Sequence, residues 1–62
     1  MEITLISRTN EGQKFLNENG DKYEYLKTVD EINHLVKIQS IRTAAIKFVN
    51  LERDKDFIVE ID

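Results

Sequence analysis

A chain of 62 residues holds one small domain at most, spanning 1–62, and this one carries no cysteine and a single histidine. Disulfides, thiolate metal sites, iron–sulfur clusters and thiol redox chemistry are therefore excluded, and His34 alone cannot build a multi-histidine metal site. The 12 acidic and 9 basic side chains leave a net charge of −3, which argues against a nucleic-acid partner held by phosphate neutralisation and is too mixed for mimicry of nucleic acid.

No stretch approaches the roughly 20 apolar residues of a transmembrane helix, so no membrane association is expected. The N-terminal MEITLISRT lacks a basic region followed by a long apolar core, so no signal peptide is expected either. A cytoplasmic location follows as the expectation. The richness in Ile, Asn, Lys and Glu, with no Pro or Trp, suggests an AT-rich bacterial or phage genome.

In chain order, residues 3–6 (ITLI) predict a strand buried on both faces. Asn10 with Gln13 three residues on predicts a helix start, with Glu11 suited to its positive end and Phe15 and Leu16 as its apolar contacts. Asn19-Gly20 is the stop, although the same pair also suits a hairpin turn, and Gly12 weakens the helix. Residues 22–27 (KYEYLK) predict a second strand. Thr28 with Glu31 forms a better capping box, and Val29, Ile32, Leu35 and Val36 follow on one helical face. This predicts a second helix ending near Gln39-Ser40, with His34 on its solvent side and without a role.

Residues 44–51 and 57–61 predict two strands around the charged turn ERDKD. Pairing Arg53 with Asp56 puts Ile46, Phe48, Phe57, Val59 and Ile61 on a core face. Lys47, Val49, Leu51, Ile58 and Glu60 fall on the other, which is half apolar. The expected order is β-α-β-α-β-β: an α/β domain with a mixed four-stranded sheet, a right-handed parallel crossover and two helices.

That order is the thioredoxin-fold order, and several strings resemble glutaredoxins over residues 3–50. ITLISRTN looks like the family's first strand and the loop to its active site. GQKFLNENGDKYEYLKT is similar to its first helix and second strand, and SIRTAAIKFVN looks like its R-T-V-P-x-I-F-V-N segment. The resemblance implies a minimal thioredoxin-like fold without the third helix, since the chain stops at Asp62. It also implies lost chemistry. The redox Cys-x-x-Cys is missing, Ala45 stands at the family's cis-proline with a trans peptide expected, and the later Gly-Gly pair is absent. Arg42 and Thr43 survive, read as a solvated neighbour and a strand start.

No other site chemistry is expected. Ser7 and Ser40 lack the context of a nucleophile, and Glu52, Asp54 and Asp56 lack the glycine and distal glutamate of a calcium loop. No enzyme activity, cofactor or metal is expected. A sheet short of its third helix leaves a bare apolar patch, so Val49, Leu51 and Ile58 are the expected partner-binding residues. Either a second copy or a different protein would cover them, unless Lys47 and Glu60 screen them. The expected function is non-catalytic protein binding, as a small phage-type regulator or inhibitor of a host protein. The alternatives are a nucleic-acid-associated module and a binder reusing a glutathione groove.

Overall fold

Six elements run along the chain: β1 (Glu2–Ser7), α1 (Asn10–Asn19), β2 (Lys22–Asp30), β3 (Leu35–Ser40), β4 (Ile46–Asn50) and β5 (Phe57–Ile61). The computed structural model describes all residues, 1–62. Its five strands form one sheet in the order β4-β3-β2-β1-β5, with every pairing antiparallel. This mainly β architecture corrects the expected α/β domain. There is no mixed four-stranded sheet, no parallel crossover and no second helix, so the thioredoxin-like fold and the glutaredoxin resemblance both fall.

The first helix forms between the predicted start at Asn10 and the predicted stop at Asn19-Gly20. Thr9 rather than Asn10 is its N-cap, its hydroxyl accepting the Gly12 N–H at 3.0 Å. Gly20 ends it at φ 82° and donates its N–H to the Leu16 carbonyl at 2.7 Å. The helix has no basic residue in its last turn. Arg42 supplies that charge from the β3–β4 turn, donating to the Asn17 and Glu18 carbonyls at 3.0 and 2.8 Å. Gly12 weakens helix propensity for a spatial reason: a Cβ there would lie 2.5 Å from the Asp56 carbonyl oxygen.

The predicted second helix is instead the β2–β3 hairpin. Asp30, not Thr28, organises this region. Its Oδ1 accepts the N–H groups of Ile32 and Asn33, and its Oδ2 accepts the Asn33 side-chain amide. The Asn33 side chain first, then its N–H, holds the Asp30 carboxyl below the usual carboxylate range. His34 closes the turn at φ 56°, in the left-handed region. Beyond it, Val36, Ile38 and Ser40 are buried while Leu35, Lys37 and Gln39 alternate with them. That is a period of two. The helical stripe of Val29, Ile32, Leu35 and Val36 leaves Ile38 out, yet Ile38 is fully buried and Ile32 is 88% exposed.

The stretch Ser40–Ala45 is the β3–β4 turn, not a relic of a redox loop. The Ser40 hydroxyl accepts the Arg42 and Thr43 N–H groups and donates to the Asn19 carbonyl. Ala44 takes φ 65°, and the turn closes through Ser40 N–H to Ala45 O at 2.9 Å.

The last two strands do not pair with each other. β4 bonds to β3 and β5 bonds to β1, at opposite edges of the sheet. The sheet curls, and the inner face holds Ile3, Leu5, Tyr23, Val36, Ile38, Val49 and Phe57 as one buried cluster. Phe15 of α1 closes over it, stacked on Tyr23 at 6.3 Å and edge-on to Phe57 at 5.9 Å between centroids. Residues 3–6 are buried on one face only: Ile3 and Leu5 point in, while Ile6 is exposed. No helix is long and apolar enough to cross a membrane.

Tyr23 donates its hydroxyl to the Gly20 carbonyl at 2.9 Å. Burial, then the nearby Asp21 carboxylate, pushes its pKa from 10.0 up to about 12. The folded state thus favours the neutral phenol. Its contribution to stability is full below the unfolded value near 10 and is lost as pH rises through about 12. Urea unfolding across that window is expected to show stability falling with pH, and Tyr23→Phe to flatten the slope; parallel slopes would contradict this.

Candidate partner-binding surface

The three residues expected to bind a partner are not brought onto one surface. Val49 is fully buried and pairs with Val36 in the core. Leu51 is half-buried, packs against the same cluster and donates its N–H to the His34 carbonyl. Ile58 is 50% exposed on the outer face of β5, directly opposite Ile6. β4 and β5 lie at opposite edges, so Ile58 sits across the sheet from the other two.

The assignment of strand faces also changes. Ile46 and Phe48, expected in the core beside Phe57 and Val59, are turned outward at 46% and 53% exposure. Register explains this. Ile46 lies opposite Gln39 and Phe48 opposite Lys37, both outer-face residues of β3. The inward place between them goes to Lys47. Its stem runs inward, and its ammonium sits 5.1 Å from the Phe15 ring centroid and 5.6 Å from that of Phe57. Alternation along IKFVN was visible in the sequence, but a lysine in an apolar strand reads as the solvent side. Nothing in the string itself announces the two aromatic rings that receive it.

Charge divides the outer face. Lys27 lies directly opposite Lys37, which in turn lies opposite Phe48, and neither lysine forms an ion pair. Like charges at facing positions oppose each other. Toward β1 and β5 the face is acidic. Thr4 lies opposite Glu60, and Glu2 opposite Glu24. Lys22 bridges Thr4 at 2.7 Å and Asp62 at 3.8 Å, and the N-terminus meets Glu24 at 4.0 Å.

A polar cleft lies at the far end, between the β2–β3 turn and the link that follows β4. Asn33, His34, Asn50, Glu52 and Arg53 line it. Most of its polar groups knit the two loops together. The Asn50 side chain donates to the Asn33 carbonyl at 2.8 Å and accepts from the N–H groups of Glu52 and Arg53. His34 Nε2 stands 3.6 Å from Glu52 Oε1, both exposed. No serine or threonine joins the pair in that cleft, and no three His, Asp or Glu side chains converge on a metal-holding arrangement.

No protein-family model matches the chain, and neither the curated proteins nor the solved structures yield a match. The surface itself is therefore the guide to function.

Burial and exposure at these positions have opposite consequences for substitution. Val49→Asp places an unpaired charge in the core and is expected to abolish folding, because a chain this size commands only about 3–5 kcal/mol from its core. Ile58→Asp is expected to shift stability by no more than about 0.5 kcal/mol. Circular dichroism with urea titration checks this, and a folded Val49→Asp protein would contradict the strand parity.

Proposed function

We propose that this chain is a non-catalytic binding protein that contacts another protein through the outer face at β4. The observation that carries this reading is the pair Ile46 and Phe48. Two large apolar side chains stand half-exposed, two residues apart on one face of an edge strand. Edge strands in monomeric proteins are ordinarily screened by outward charges, proline or bulges. The one charge within β4 is turned inward instead. A regulator or inhibitor of a host protein in the cytoplasm fits this reading, since such a role needs a contact surface and no turnover.

A nucleic-acid partner is the second reading, favoured by the row Lys27–Lys37–Phe48. A ring beside two unpaired cations is a means of holding a single strand. The neighbouring carboxylates Glu2, Glu24 and Glu60 confine that positive area, and the net charge of −3 opposes it further. Protein binding is the better supported of the two.

Affinity capture separates them. The native chain is expected to retain a defined protein from lysate, and the Ile46→Asp/Phe48→Asp double variant to lose it while remaining folded. Retention of nothing above background, or equal retention by both, would overturn the reading. A salt-sensitive gel shift with single-stranded DNA or RNA would favour the second reading instead.

A further inference from the structure

We propose that the open edge of β4 pairs antiparallel with β4 of a second copy, about a two-fold axis at Phe48. This rests on the reading of β4 as the binding surface and adds a partner for its main-chain edge, which leaves Ile46 and Phe48 on the outer face.

Main-chain direction comes first. Ala45 points its carbonyl at β3, accepting from Ser40, and Leu51 points its N–H at β3, donating to His34. Antiparallel strands alternate, so Lys47 and Val49 also face β3. Ile46, Phe48 and Asn50 face away. The Asn50 N–H is already taken by Asp54 Oδ2 at 3.0 Å. Both groups of Ile46 and Phe48, and the Asn50 carbonyl, are left for a neighbouring strand.

At Ile46 and Phe48 no side chain guards this edge, whereas at Asn50 the Asp54 carboxylate occupies the N–H. The chain contains no proline, the β3–β4 ladder runs without a bulge, unlike β2–β3, and Lys47 is folded over the Phe15 and Phe57 rings.

Charge and bonding then select the register. An axis at Lys47 would set two lysines directly opposite each other, which is unfavourable. An axis at Phe48 sets Lys47 against Val49 of the second copy and Ile46 against Asn50. Each Phe48 exchanges both main-chain bonds with its twin, and each Ile46 N–H reaches an Asn50 carbonyl. The Asn50 N–H stays with Asp54, so each Ile46–Asn50 pair forms one bond rather than two and the Ile46 carbonyl has no partner in this ladder. The two Phe48 rings become cross-strand neighbours on the outer face, a favourable aromatic pair. The same patch serves both copies, as a closed two-fold dimer requires.

The purified native chain is expected to sediment at twice the monomer mass at micromolar concentration, and Ile46→Lys/Phe48→Lys to halve that mass while staying folded. The chain has no cysteine, so Phe48→Cys reports the axis directly. Facing hydrogen-bonded residues lie about 5.5 Å apart at Cα, within disulfide range. Phe48→Cys should therefore cross-link to a dimer under mild oxidation at least tenfold faster than the equally exposed Ile58→Cys. A monomeric native chain, or equal cross-linking rates at the two positions, overturns self-pairing. If that monomer still captures a protein and loses it on Ile46→Asp/Phe48→Asp, β4 binds a different protein and only the self-pairing fails.

Discussion

Asp54 stands in the link between the two edge strands and bonds to the ends of both. Its Oδ2 accepts the Asn50 N–H at the end of β4, and its Oδ1 accepts the N–H groups of Asp56 and Phe57 at the start of β5. In a flat five-stranded sheet those edges would lie four strand spacings apart, about 19 Å. One half-buried carboxylate therefore holds together two points that a flat sheet would separate. The Asp54 carbonyl also receives the Arg8 guanidinium at 3.1 Å, tying in the end of β1.

The other contacts follow from that curl. It brings Phe57 within edge-on distance of Phe15 and lets Lys47 cross from β4 to both rings. It places the Asp56 carbonyl where it accepts the Arg8 N–H, and the Asp56 carboxylate where it accepts the Thr9 hydroxyl at 2.7 Å. The helix start must then lie against the start of β5, which is why Gly12 is required there. With the inner face filled by Phe15 and Lys47, Ile46 and Phe48 have only the outside to occupy. The surface read as functional and the closure of the core are thus two outcomes of one geometry. β5 meets the end of β4 through Asp54 without forming a ladder, so the main-chain groups of Ile46 and Phe48 have no strand partner.

Local signals in the sequence were sound where a few neighbouring residues decide the structure. The helix over Asn10–Asn19 carries its cap, its stop glycine and its apolar pair within ten residues. The strand begun at Lys22 is of the same kind. Signals failed where long-range partners choose between two periodicities. Val29, Ile32, Leu35 and Val36 satisfy a helical stripe, but Val36 and Ile38 satisfy a strand, and only the neighbouring strands can bury the second set. Thr28 with Glu31 imitated a capping box, while Asp30 used its carboxylate to build a turn. The ERDKD segment read as a solvated hairpin tip because Asp54 looks like any surface acid until the N–H groups it serves are in place. The strand β4 was legible in the sequence but its parity was not: Val49 turns inward and Ile46 and Phe48 outward, since the inward course of Lys47 depends on rings far away in the chain.

The closure is tested most directly by Asp54→Ala, with Glu52→Ala as the control from the same link. Equilibrium urea unfolding of both variants against the native chain reads the difference. Removing Asp54 strands up to three main-chain N–H groups and is expected to cost about 1–3 kcal/mol, while Glu52→Ala stays within about 0.5 kcal/mol. Equal stabilities for the two variants would contradict a sheet held curled by that carboxylate.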